Sequence, residues 1–482
     1  LLTEKENISD SVLASITGIK WNYRHLLLVP LLIPFIIILW KFDYHTALAL
    51  FSFSFFLVLT LEAPKAALAA AFAILALDMN PSTCEYDPDS IFTFIISGRN
   101  RIPLHLFFEA GMLTGWLISR GLETKFRLKL TFFHWIILAL AGWMCLGQIN
   151  LILNGFNPLK AVFALRHILS YLMFFFIFDV LEDEKDIKTI FYIVVLGILV
   201  TFFVGFFRLA TDQYIQWGFR RFYLWHEQVQ TMHLLGLFAL LAGMEKQVKF
   251  PFLAGLAIYL ACLVQTFLST SRAVLVGTLI TLLLVLFLKI KSKTMFFVTS
   301  ALFIVAMFFS IDYLTSKITG AVNEVAVESM DRIKAINPEE ADYSVLFRLL
   351  SFQSAFLTAV EHPILGIGFN TPYELDIFGF KYKTLILDNT YIKFALSSGF
   401  PLLIIYLIFL IVVYRTGVRL LRKYPPGIIR VIVLSCIGVI SMSNVVDLFQ
   451  ANFALFRIMF LIILAVSIIM KLDYIADKKS NK

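Results

Sequence analysis

Long apolar runs, broken at near-regular intervals by short polar or charged stretches, organise this chain from residue 24 to residue 471. A helix needs roughly 20 apolar residues to cross a hydrocarbon core. Fourteen runs approach that length: 24–41, 45–62, 65–79, 102–119, 130–148, 159–180, 187–208, 229–244, 250–269, 273–290, 294–312, 390–414, 428–449 and 455–471. Only Glu62-Ala-Pro-Lys65 separates the second from the third, which read as a tight helical hairpin or a re-entrant pair. The pattern therefore predicts an all-α polytopic membrane protein with about 12–14 transmembrane helices. A polar tail (1–23) precedes a region of about 11 spans (24–312). Next come a long, largely helical loop (313–389), three C-terminal spans (390–471) and a short tail (472–482).

Composition narrows the class. The chain is 60% hydrophobic and 15% charged, with a mean hydropathy of +0.84, whereas soluble domains average about 45–50% apolar and about 25% charged residues. A soluble enzyme of this length is excluded, as is a disordered or collagen-like chain. Cys145, Cys262 and Cys436 lie inside apolar runs and read as structural free thiols; Cys84 sits in a polar loop.

The net charge of +8 first acts as a topological label. Lys and Arg concentrate in alternate short loops: Arg120/Lys125/Arg127/Lys129, Lys246/Lys249, Lys289/Lys291/Lys293, Arg415/Arg419/Arg422/Lys423, and Lys471/Lys478/Lys479/Lys482. The charge bias of short loops puts these on the cytoplasmic side, with both termini, and the acidic 182–186 loop does not oppose it. The first 23 residues are too polar for a secretory signal, so the first span reads as an uncleaved anchor.

The opposite face then holds 80–101, 209–228 and 313–389. The last of these has ten acids against six bases, and loops of that length usually carry function. Within it, 343–361 predicts an amphipathic helix with Val345, Leu346, Leu349, Phe352, Phe356 and Val360 in an apolar stripe suited to the membrane surface. Pro363, Gly366 and Gly368 end that helix in a turn.

Arginines at membrane depth or on the outer face run against the charge bias and mark where function should be sought. They are Arg99, Arg101, Arg166, Arg208, Arg220, Arg221, Arg272, Arg348 and Arg457. Interfacial anchoring is the plainer reading of Arg99, Arg101 and Arg208. Arg220, Arg221 and Arg348 lie in loops where no span needs an anchor. Converging guanidinium groups would make a cationic outer cavity suited to an anion such as a lipid-linked diphosphate. His105 and Glu109, one turn apart, read as a buried hydrogen-bonded pair. His226, Glu227 and His233 lack zinc-type spacing. Asp388, Asn389 and Tyr391 stand where the long loop re-enters the membrane; either Asp388 or Asn389 could cap the helix, or Asp388 could face the arginines.

Four stretches together resemble the Wzy-type polysaccharide polymerase and O-antigen ligase superfamily, membrane glycosyltransferases of the GT-C type. They are GFRRFYLWHEQVQT (218–231), STSRAVLVG (269–277), RLLSFQSAFLTAVEHPILGIGF (348–369) and LDNTYIKFALSSGFPL (387–402), and the resemblance spans roughly 150–450. Ligases of the superfamily usually show His-Asn where this chain has Asp388-Asn389, and that departure favours a polymerase. The resemblance implies inverting, metal-independent transfer of a glycan from undecaprenyl diphosphate to an acceptor sugar hydroxyl, at the periplasmic face of a bacterial inner membrane and with no cofactor. Arg220, Arg221 and Arg348 would stabilise the leaving diphosphate and Asp388 would assist the nucleophile. Arg272, Asn389, Tyr391, Arg166, His226 and Glu227 would bind substrate. Membrane lipids, a chain-length regulator and a flippase are the implied partners, with no nucleic acid. A ligase, a lipid-linked oligosaccharide flippase and an export scaffold are the competing readings.

Overall fold

The computed structural model describes residues 44–77, 93–96, 100–103, 105–122, 130–158, 167–210, 214–217, 219–222, 226–268, 272–290, 343–369, 371–377, 380–385, 387–449 and 456–480, with isolated positions between 161 and 301. Twelve of the fourteen apolar runs coincide with a helix; 24–41 lies outside the described residues, as does most of 294–312. Among the described residues, five helices are long and apolar enough to cross a membrane, and six shorter apolar helices accompany them. The protein is an all-helical polytopic membrane protein.

Two compact units divide the chain. The first comprises 1–129 and 179–197, the second 130–178 and 198–482. In the first, α1 (Tyr44–Glu62) and α2 (Pro64–Leu77) are separated by Ala63 alone. Pro64 explains the break: it lacks an N–H and clashes with the preceding turn, yet suits the first position of a new helix. A hairpin of β1 (Thr93–Ile96) and β2 (Asn100–Pro103) precedes α3 (His105–Leu122). On α3, Gly111 and Gly115 let α1 approach closely, since a Cβ on them would lie 2.4 and 2.7 Å from the carbonyl oxygens of Phe53 and Leu57. This small-xxx-small contact is how helices pack where no hydrophobic effect drives association. Asp179 accepts hydrogen bonds from Trp116 Nε1 (2.8 Å) and Arg120 Nε (2.6 Å), and Lys65 pairs with Asp186 (2.9 Å). Each contact joins segments that the loop charges assign to one side.

The second unit holds α4 (Phe132–Leu153) and most of α5 (His167–Val180). The latter half of α6 (Glu184–Ala210) leads into the hairpin of β3 (Tyr214–Trp217) and β4 (Phe219–Phe222). There follow α7 (His226–Met244), α8 (Phe252–Leu268), α9 (Arg272–Lys289), α10 (Tyr343–Glu361), the hairpin of β5 (Tyr373–Ile377) and β6 (Phe380–Thr384), α11 (Thr390–Lys423), α12 (Ile428–Val446) and α13 (Phe456–Ser480). The spans α12 and α13 are the most enclosed. The hairpin at 373–384 departs from the helical reading of the long loop. Tyr373, Leu375 and Ile377 alternate with Glu374 and Asp376, a strand period of two, and the register sets Glu374 opposite Lys383 and Asp376 opposite Lys381.

The helix α11 is broken at Ser398 (φ −138°, ψ 18°) and Gly399 (φ 78°, ψ 172°), two residues before Pro401. Such a break frees carbonyls at membrane depth, and each must find a donor. The turn after α10 supplies them: Ile367 N–H donates to Leu396 O (2.8 Å) and Gly368 N–H to Ser397 O (2.9 Å). Trp143 Nε1 donates to Ser398 O (2.9 Å), and the N–H of Phe400 donates back to Pro363 O (2.9 Å). The fit leaves no room for side chains. A Cβ on Gly399 would lie 2.1 Å from Ile364 O, and one on Gly366 (φ 63°) 2.4 Å from Leu396 O.

Gly399→Ala should therefore be far more disruptive than Gly155→Ala. Both glycines have positive φ, but a Cβ on Gly155 would meet nothing within 4 Å. Backbone strain alone costs about 1–3 kcal/mol; Gly399→Ala adds a backbone collision. Thermal unfolding of the purified variants in detergent should show a modest drop for Gly155→Ala and loss of the folded state, or a much larger drop, for Gly399→Ala.

Candidate functional site

Three elements meet where the long loop returns to the membrane. Ala355 and Ala359 of α10, Tyr373 of β5, and Leu387, Ala395 and Leu396 before and within α11 form one core, with Phe352, Ile367 and Ile392 packed on it. Small side chains on α10 at 351, 355 and 359 let it seat closely against α11. The expected apolar stripe of α10 divides: Phe352 turns into this core, whereas Leu349, Phe356 and Val360 stay exposed with Leu357.

Arg348 lies one turn before Phe352, and this packing sets it beside Asp388. Arg348 Nε donates to Asp388 Oδ2 at 3.1 Å, with the side chains 40% and 36% exposed. An ion pair this accessible contributes only about 0–1 kcal/mol to stability. Fold stability is thus a weak reason for its presence, and the pair is open to a ligand. Among the described residues, Asp388 is the partner of Arg348, and it is engaged through Nε rather than through the terminal guanidinium nitrogens. The Tyr373 phenol is held above its ordinary pKa, first by burial and also by the neighbouring Asp388 charge.

The next residues serve a different end. Asn389 caps α11: its Oδ1 accepts from Ile392 N–H (2.9 Å) and its Nδ2 donates to Leu448 O (2.9 Å). Both ends of its carboxamide are thus engaged by backbone. Thr390 donates through its N–H to Asp447 O (2.9 Å) and through Oγ1 to Asp447 Oδ1 (2.8 Å). Tyr391 donates to Asn444 O (3.1 Å). Asn444 also accepts from Tyr406 Oη (3.2 Å) and donates to Tyr414 Oη (3.0 Å). The start of α11 is therefore clamped to the end of α12. Asp447 is buried at the C-terminus of α12, where a negative charge is unfavourable, but it faces the N-terminus of α11, where one is favoured.

Asn444 and Asp447 escaped the reading of the outer arginines. Their signal is an ionisable and an amide residue in Ser441-Met-Ser-Asn444-Val-Val-Asp447, at the end of an apolar span. Of the other candidates, Arg220 and Arg221 occupy successive positions on β4, paired with Gln216 and Ile215. His226 and Glu227 open α7, Arg272 opens α9, and Arg101 lies on β2. Arg166 and Arg99 fall outside the described residues. Glu109 is buried on α3, and His233 is a core histidine whose ring lies 6.3 Å from that of Tyr259. What the structure brings together is Arg348 with Asp388, and, separately, Asn389, Thr390 and Tyr391 with α12.

A polytopic helical membrane protein with a loop helix seated on a broken span and an arginine–carboxylate pair at its rim is the class these features define. Residues 256–407, from α8 to the first half of α11 beyond its break, match the family model described as O-antigen ligase. The match covers less than half of the chain; it is consistent with the Wzy/O-antigen ligase superfamily and supports a ligase- or polymerase-type membrane function. No curated protein matches the chain.

Thr390→Val should destabilise the protein by roughly 1–3 kcal/mol, because it removes a hydrogen bond to a buried carboxylate, whereas Thr390→Ser should stay near the parent. Thermal unfolding of the two purified variants side by side checks this.

Proposed function

We propose that this protein is an inverting glycosyltransferase of GT-C-like organisation that polymerises undecaprenyl-diphosphate-linked oligosaccharide repeats at the periplasmic face of the inner membrane, both termini being cytoplasmic. The observation that carries the reading is the half-exposed Arg348–Asp388 pair at the rim of the matched domain. In the reaction, an acceptor sugar hydroxyl attacks the anomeric carbon of the donor glycan. The carbon–oxygen bond to the diphosphate breaks, and undecaprenyl diphosphate departs with the bonding electrons. Arg348 is bound to Asp388 through Nε, so its two terminal nitrogens match the oxygens of the leaving diphosphate. Arg220 or Arg221 adds a second fixed cation, together supplying charge that Mg²⁺ supplies in other transferases. Asp388, held beside that cation, takes the hydroxyl proton or orients the nucleophile. Arg166, Arg272, His226 and Glu227 are assigned to sugar and phosphate binding. Tyr391 and Asn389 act chiefly by fixing the start of α11.

A transporter would use an unwound helix as an open ion or substrate site. Here the freed carbonyls of α11 are taken by Ile367, Gly368 and Trp143, which favours the transferase reading. Ligation to a lipid A core is the second reading, favoured by the description of the matched family. Purified protein given a defined undecaprenyl-diphosphate repeat should yield a ladder of longer products. A single transfer to a different acceptor would make it a ligase, and no reaction with either would remove the transferase assignment.

Arg348→Ala, at normal membrane expression, should lower chain extension at least 100-fold, with Arg348→Lys retaining part of it. The charge-swapped pair Arg348→Asp with Asp388→Arg keeps an ion pair and should unfold close to the wild type but lack activity. Recovery of activity in that double variant would reduce both residues to structural roles.

A further inference from the structure

The C-terminal half of α11 carries a second cationic feature, at the end of the span away from Arg348 and Asp388. A cavity of about 640 Å³ is lined there by Tyr414, Arg415, Val418, Arg419, Arg422 and Lys423. Positions 415, 419 and 422 fall on one helical face, with 418 and 414 beside them. Two acids of α13 answer part of this charge: Arg419 and Lys423 both pair with Asp473, and Lys423 also with Asp477. Four cations thus face two carboxylates. The surplus rests on Arg415 and Arg422, which are exposed and have no acidic partner among the described residues.

The bias of short loops towards lysine and arginine accounts for cations at this end of a span. It does not account for their sharing one cavity, or for two guanidinium groups left without a carboxylate beside two cations that have one. The loop charges assign Arg415, Arg419, Arg422 and Lys423 to the membrane–cytoplasm interface. At that interface the exposed Arg415 and Arg422 stand at the level of lipid headgroups, and Val418, between them on the helix, offers apolar contact beside the charges.

We propose that this groove is a binding site for the phosphodiester headgroup of an anionic phospholipid in the leaflet opposite the Arg348–Asp388 pair. The planar forks of Arg415 and Arg422 would take the phosphate oxygens, while Asp473 and Asp477 hold Arg419 and Lys423 as the far wall. Basic grooves between helices at the cytoplasmic interface are suited to such lipids. The site is independent of the glycan chemistry and stands or falls separately from it.

The test uses the full-length protein in nanodiscs of phosphatidylcholine alone or with phosphatidylglycerol, with retained phosphatidylglycerol counted by native mass spectrometry and thermal unfolding followed in parallel. The wild type should retain the anionic lipid and gain stability from it. R415Q/R422Q should lose at least five-fold of the retained lipid while unfolding like the wild type in phosphatidylcholine alone; if that variant does not fold, R422Q should still lose at least two-fold. K478Q/K479Q removes two charges from the same end of the protein, outside the groove, and should keep the lipid. Equal loss in K478Q/K479Q, or full retention in R415Q/R422Q and R422Q, would overturn the site. The same stabilisation by inorganic phosphate in phosphatidylcholine discs would overturn the lipid as its ligand.

Discussion

Everything at the rim of this protein depends on the break in α11 and on the backbone groups that fill it. A membrane-spanning helix that stops being helical at Ser398 and Gly399 exposes carbonyl oxygens where no water can serve them. The cost is tolerable only because the turn after α10 is pressed into the gap and donates Ile367 N–H and Gly368 N–H, with the Trp143 indole as a third donor. The same hydrogen bonds fix the loop helix. Once Pro363 to Gly368 are locked to α11, α10 has one place to go, and Arg348 arrives beside Asp388 as a consequence.

A second constraint holds the other partner of that pair. Asp388 is two residues ahead of Thr390, and Thr390 is tied twice to Asp447 while Asn389 is tied to Leu448. The start of α11 therefore cannot slide along α12. A rigid seat for the carboxylate and a separately rigid seat for the arginine give a charge pair whose geometry is preorganised, although the pair itself adds little stability. Positioned charges that need not reorganise are the most effective stabilisers of a developing anion. The site's precision thus comes from uncharged backbone contacts around it, more than from its own ion pair.

Charge on this protein falls into populations with different work. Most cations sit at helix ends on the side assigned to the cytoplasm, and several are neutralised there, as Lys65 is by Asp186 and Lys423 by Asp473 and Asp477. Arg348 belongs to the opposite end, on an otherwise amphipathic helix whose outer apolar face, Leu349, Phe356, Leu357 and Val360, remains uncovered. The hairpins β1–β2, β3–β4 and β5–β6 all occur in the connections on that same assigned side, where edge strands can be solvated.

The succession of apolar runs by itself determined the helical membrane character and where twelve of the helices fall, because a bilayer demands a length and a hydrophobicity that can be counted residue by residue. It also singled out Arg348, an arginine at odds with the loop bias, and Asp388, which stands where the long loop re-enters the membrane. Three things it did not decide. The period-two alternation of 373–377 was too short to outweigh the helical reading of its loop until β6 was there to pair with it. Asn389 could be read as a cap from its neighbours in the chain, but its second partner, the Leu448 carbonyl 59 residues away, could not. Asp447 looked like one acid at a span's end, and only the meeting of two opposed helix termini made it a clamp. Composition and periodicity are properties of neighbours in the chain, whereas a hydrogen-bond partner is a property of neighbours in space, and at this rim the tertiary structure alone supplied the partners.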